Sequence, residues 1–120
     1  MRLADIRLSD EGRVVVARLT GELDLSNTDN IAGALREAVP NSALALIVDL
    51  TEVDYLDSAG IHLVYELRER LRARGQALRL VVPADSAAND TLRLAGVSGH
   101  VATFETVEAA IAEVNTTQSV

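Results

Sequence analysis

The chain has 120 residues, 48% of them apolar and 24% charged, with a formal net charge of −7. That length suits a single domain with one proper core. The acidity argues against nucleic acid as a partner, since phosphate backbones are bound through surplus Lys and Arg, and one Phe, two Tyr and no Trp leave little on which to stack bases. The absence of cysteine excludes disulfides, thiol catalysis and thiolate metal sites.

All eleven basic side chains are arginine, so no chemistry that needs an amine side chain is open to this chain. The longest apolar run, Ala43 to Val48, is far shorter than the roughly 18 residues of a membrane span. Asp5 and Asp10 stand where a secretory signal would carry its apolar region. No membrane association is expected, and the cytoplasm is the expected location.

In chain order, Leu3–Leu8 and Val14–Leu19 read as two strands of a hairpin, with Asp10, Glu11 and Gly12 between them. Gly21, Glu22, Leu23 and Asp24 form an exit loop. Ser26 or Asn27 then caps a helix whose Ile31, Ala34, Leu35 and Ala38 share one face and which stops near Pro40. Leu44–Leu50 is a continuous apolar strand broken only by Asp49, the pattern of a strand covered on both faces. A second helix follows Ser58. Its Ile61, Val64, Leu67 and Leu71 recur at helical spacing, Arg68, Arg70, Arg72 and Arg74 complement its C-terminal dipole, and Gly75 suits the left-handed position past its end. Leu78–Val82 is a strand, Ser86–Ala95 a helix, Val101–Phe104 a short strand and Val107–Val114 a last helix. Residues 1–115 are expected to form the domain, and residues 116–120 a flexible C-terminal tail. Strands alternating with helices give an α/β fold: a mixed sheet that starts with a hairpin and continues in β-α units, flanked by about four helices.

The serine at the strand-to-helix junction admits two roles. It can cap the helix, or it can present a hydroxyl beside the partial positive charge of the free N–H groups there. An anion site at that helix start is a related alternative. Other chemistries are refused by the residues. There is no Gly-x-x-x-x-Gly-Lys loop, and Gly96 and Gly99 alone carry no nucleotide site. His62, four residues after Ser58, has no third group to complete a nucleophilic triad and reads as a solvent-facing helical residue. His62 and His100 without cysteine make no structural zinc site, and no metal or cofactor is expected. A phosphoacceptor aspartate of the receiver type at Asp54 or Asp57 is rejected because the chain has no lysine.

The run Val48-Asp49-Leu50 … Val53-Asp54-Tyr55-Leu56-Asp57-Ser58-Ala59-Gly60-Ile61 resembles the phosphorylation segment of STAS domains, specifically bacterial anti-sigma factor antagonists. Leu19-Thr20-Gly21-Glu22-Leu23-Asp24 resembles the exit of that family's second strand. The resemblance covers nearly the whole domain in order.

It implies a non-enzymatic, bacterial regulator of transcription that works by partner switching. Unmodified, it binds an anti-sigma factor that is also a GHKL-type serine kinase, and so frees a sigma factor. Phosphorylated on Ser58 it is released, and a PP2C-type phosphatase resets the system. Asp24, Leu25 and Ser26, with Asp57, Ala59, Gly60 and Ile61, would then form the docking surface of a monomer or weak dimer. Some relatives carry a second serine where this chain has Ala59.

Apart from the resemblance, Glu22, Asp54 and Asp57 are expected to make one acidic surface with Asp24. Small Ala59 and Gly60 leave room there for a partner's backbone, and Ile61 supplies an apolar contact. The alternative functions are a STAS-type scaffold or accessory subunit of a signalling or transport complex, and a small anion- or nucleotide-binding domain.

Overall fold

A computed structural model describes residues 5–118. The elements are β1 (Asp5–Glu11), β2 (Val14–Leu23), α1 (Thr28–Ala38), β3 (Ala45–Leu56), α2 (Ser58–Ala73), β4 (Ala77–Val81), α3 (Ala87–Leu94), a 3-10 turn (Val97–Gly99), β5 (Thr103–Phe104) and α4 (Val107–Gln118). The strands lie side by side in chain order, β1-β2-β3-β4-β5. β1 and β2 are antiparallel and every later pair is parallel.

Three successive crossovers that all step in one direction, each right-handed, must place their helices on one face of the sheet. Leu35 of α1, Leu63, Leu67 and Leu71 of α2, and Leu92 of α3 accordingly share a core with Val15, Ala17, Leu19, Leu46 and Val48. The chain leaves the last strand for the other face. There Val107, Ala110 and Val114 of α4 cover Val14, Val16, Ala45 and Ile47. Alternate residues of β3 therefore enter two different cores, which explains its unbroken apolar run.

Several expected boundaries move. Leu3 lies outside the described residues. β1 runs on through Asp10 and Glu11, so the hairpin turns at Gly12-Arg13, where Gly12 has φ 76°. On α1 the buried face is Thr28, Ile31, Ala32 and Leu35, while Ala34 is exposed and Ala38 half-buried. The helix is rotated because Thr28 and Ala32 also point inward. α2 ends at Gly75, φ 73°, with the Gly75 N–H bonded to Arg72 O and the Gln76 N–H to Leu71 O. Those two bonds make a Schellman motif, which only a residue at ease with positive φ can close. β4 and α3 shift by a residue at their ends, β5 shortens to Thr103–Phe104, and the 3-10 turn is additional. α4 continues through Thr116, Thr117 and Gln118, which were expected in the tail.

β3 differs most from expectation, continuing six residues past Leu50. Its inward positions there are Leu50, Val53 and Leu56, all in the core under the three helices. This three-residue spacing is neither the period of a strand nor that of a helix. It arises from two bulges, at which β3 advances one residue more than β2.

Candidate functional site

β2 and β3 run past the rest of the sheet and end together, since β4 pairs with β3 only as far as Asp49. Binding groups in α/β sheets gather at the carboxyl ends of parallel strands, where loops lead into helix starts. The two loops here are joined directly, the Asp57 N–H donating to Leu23 O at 3.2 Å.

The β2–α1 loop is tied by its own polar side chains. One carboxylate oxygen of Asp24 accepts from the Ser26 N–H at 2.9 Å and from the Ser26 hydroxyl. Asn27 accepts from the Asp24 N–H at 3.2 Å and donates to Glu22 O at 2.7 Å. Asn27 thus stands at the cap position of α1 but spends its side chain on the loop, and no side-chain cap bond forms there. Tied at both ends, the loop lifts Leu25 to its crest, 82% exposed. Leu94 is as exposed, so what distinguishes Leu25 is its place beside the start of α2.

The start of α2 resolves the two roles of Ser58. Asp57 is the cap: its Oδ1 accepts the N–H of Ala59 at 2.8 Å and of Gly60 at 3.2 Å. Ser58 is the first helical residue, exposed, and its hydroxyl has no hydrogen-bond partner among the described residues. The N–H groups that would bind an anion at this terminus are those held by Asp57. That weighs against an anion site.

Gly60 is buried, and its small size serves this chain's own packing. A Cβ placed there would lie 2.9 Å from Leu56 Cγ and Cδ1 and 3.4 Å from Leu23 Cβ. The missing side chain lets α2 start tight against the ends of both strands. The space expected for a partner's backbone is therefore already filled. Ile61 is half-buried and packs on the same core.

A cleft of about 400 Å³ opens over the junction, lined by Leu25, Thr28, Asp29, Asp57, Ser58, Ala59 and His62. Of the expected site residues, the structure brings Leu25, Asp57, Ser58 and Ala59 together here. Asp24 and Ser26 shape the loop instead. Glu22 is half-buried and pairs with Tyr55 in the ladder. It alternates with core-facing Leu23, so it points to the opposite sheet face and lies outside the cleft. Asp54, exposed at the second bulge, is also absent from the lining. In place of the expected acidic surface, Asp29 and Asp57 line the cleft with Ser58. Thr28, Asp29 and His62 were missed as lining residues. For His62 the signal was its place one helical turn after Ser58, and for Thr28 and Asp29 it was the first turn of α1.

Among the described residues no cluster of His, Cys, Asp or Glu is arranged to hold a metal ion, and no helix is long and apolar enough to cross a membrane.

Fold and junction together define a small α/β domain that presents a free hydroxyl between a tied loop and a capped helix start. The chain belongs to the STAS domain family, whose match spans residues 5–110. It is 27% identical over 107 residues to the anti-sigma-F factor antagonist RsfB of Mycobacterium tuberculosis, covering 88% of this chain and 85% of that one. The crystal structure of an anti-sigma factor antagonist from Mycobacterium paratuberculosis superposes with a TM-score of 0.83 at 22% identity, over 94% of this chain and 95% of that one. SpoIIAA, a Bacillus cell fate determinant, has been solved in two states. The unphosphorylated form matches with a TM-score of 0.74 at 22% identity, over 97% of this chain and 98% of that one. The phosphorylated form matches with a TM-score of 0.66 at 25% identity, over 92% and 99%. These structural likenesses are likenesses of fold.

Proposed function

We propose that this protein is an anti-sigma factor antagonist that docks an anti-sigma factor over the Leu25–Ser58 cleft and is switched off by phosphorylation of Ser58. The observation that carries this is the free, exposed Ser58 hydroxyl beside an aspartate that already caps the helix. An acceptor of this kind can be modified without dismantling the helix start. RsfB carries the name of this function. SpoIIAA keeps the common fold in its phosphorylated form.

In the proposed cycle the partner is a GHKL-type serine kinase. The γ-phosphoryl of ATP moves to Ser58 Oγ, ADP leaves, and the hydroxyl proton goes to a base of the kinase. A PP2C-type phosphatase hydrolyses the ester and restores the hydroxyl.

The phosphoryl group adds about −1.5 to −2 charges to a cleft already flanked by Asp29 and Asp57. At about 5 Å from a partner's acidic group, with an effective dielectric near 20, repulsion is roughly 3 kcal/mol per unit charge. That corresponds to about a hundredfold in affinity. The helix terminus offsets only about 0.3–1 kcal/mol at an exposed position. The interface therefore responds far more than the fold.

Incubation with the cognate anti-sigma kinase and ATP should add one phosphate, and Ser58→Ala should abolish it. Ser58→Asp should weaken partner binding about a hundredfold while the unfolding midpoint stays within a few degrees. Labelling that survives Ser58→Ala overturns the acceptor, and equal affinity of Ser58→Asp and wild type overturns the electrostatic switch.

A further inference from the structure

Between Val14–Ala45 and Leu23–Leu56, β3 spends 12 residues on the distance that β2 covers in 10. The first surplus residue falls between the Arg18–Asp49 and Thr20–Glu52 pairs, the second between Gly21–Val53 and Glu22–Tyr55. Bulges in parallel strands are rare and need a specific cause.

A charged residue supplies that cause at the first bulge. Asp49, only 8% exposed, sits on the strand just before the ladder slips. Its Oδ1 accepts from the Thr51 N–H at 3.0 Å and from the Thr51 hydroxyl, and its Oδ2 accepts from Arg18 Nε at 3.3 Å. Leu50 and Thr51 both fall between the flanking pairs of the ladder, and the Asp49 carboxylate gives the Thr51 N–H an acceptor. Arg18, paired with Asp49 on β2 just before the slip, holds the same carboxylate from the neighbouring strand.

We infer that Asp49, through its carboxylate's bonds to Thr51, is a positioning residue that fixes the register of β3 and with it the level of Ser58 against the Leu25 loop. That Ser58 is the group worth positioning rests on the proposed function. A strand rises about 3.3 Å per residue, so removal of one bulge carries Ser58 about that far past Leu25. The same slip turns Val53 and Leu56 out of the core, because one residue of register exchanges the two faces. The bridge from the Asp57 N–H to Leu23 O, six residues beyond Thr51 along the chain, reports whether the register holds at the site.

The test is residue-resolved amide exchange on Asp49→Ala. Arg18 is half exposed and Thr51 is exposed, so both find water when the carboxylate goes and the variant folds. The Thr51 and Asp57 amides should exchange about tenfold faster or more, while Leu46 and Ile47, upstream in the same strand, keep wild-type protection. Asp49→Asn combined with Arg18→Met keeps an acceptor for Thr51 without a facing donor, and should restore protection at Asp57. With the cognate kinase and ATP, Asp49→Ala should lower kcat for Ser58 transfer about tenfold with little change in KM, and the double variant should recover it. Unchanged exchange at Asp57, or acceleration equal to that at Leu46 and Ile47, overturns the inference. Failure of the wild-type protein to accept phosphate overturns the function instead, and leaves the exchange result to judge the positioning.

Discussion

Gly60→Ala should destabilise this protein, although glycine-to-alanine in a helix is ordinarily favourable by up to about 1 kcal/mol. The added Cβ meets Leu56 Cγ and Cδ1 at 2.9 Å. Carbon atoms pack at about 3.5–4.0 Å, so the new methyl is short of room by more than half an ångström. Relief requires Leu56 to leave its place in the core or α2 to lift from the strand ends. Such overpacking costs typically about 1–3 kcal/mol, which exceeds the propensity gain. The expected net loss is about 1–2 kcal/mol, or a fall of roughly 3–10 °C in the unfolding midpoint for a domain of this size. Gly33 in α1 is the internal control. Its added Cβ meets only Arg36 Nη2, at an ordinary 3.7 Å, so Gly33→Ala should raise the midpoint by a few degrees. Differential scanning calorimetry of both variants measures the contrast. A Gly60→Ala protein that melts at or above the wild type refutes the close-approach argument.

Asp57→Ala should cost about 1 kcal/mol in urea unfolding through loss of the α2 cap, whereas Ser58→Ala should stay within about 0.5 kcal/mol. The reverse ranking would make the hydroxyl the cap. Leu25→Ser should leave stability within about 0.5 kcal/mol, because the side chain is 82% exposed, yet weaken binding of a purified anti-sigma factor by about tenfold or more in calorimetric titration. Unaltered affinity would remove Leu25 from the docking surface.

Periodicity, turn residues and helix stops are local properties, and the elements that rest on them were legible from residue order. The hairpin of β1 and β2, the helical spacing of Val64, Leu67 and Leu71, and the stop at Gly75 all lie where the residues place them, although β2 runs on through Leu23, which was expected in the exit loop. So does the junction of a strand with a helix start at Asp57-Ser58. The alternation of strands and helices also determined the class of fold, because right-handed crossovers leave few ways to stack it.

The far half of β3 was hidden, because its inward residues recur at a spacing created by bulges against β2, and no single strand shows where its partner slips. The buried state of Gly60 was hidden for the same kind of reason. Leu56 and Leu23 approach it only after two strands and a helix have been assembled. Glu22 was assigned to the acidic surface from its neighbours along the chain, whereas its place in the ladder turns it to the other face. Which of two adjacent polar residues caps α2, and which is left free, also depended on backbone direction at the strand end: Asp57 is extended there, with ψ −167°, and Ser58 is already helical. The chain's order of residues therefore determined most of the elements and marked the serine. Only the packing of β2 against β3 decided that its hydroxyl stands unbonded beside Leu25, because that depends on distances between segments far apart along the chain.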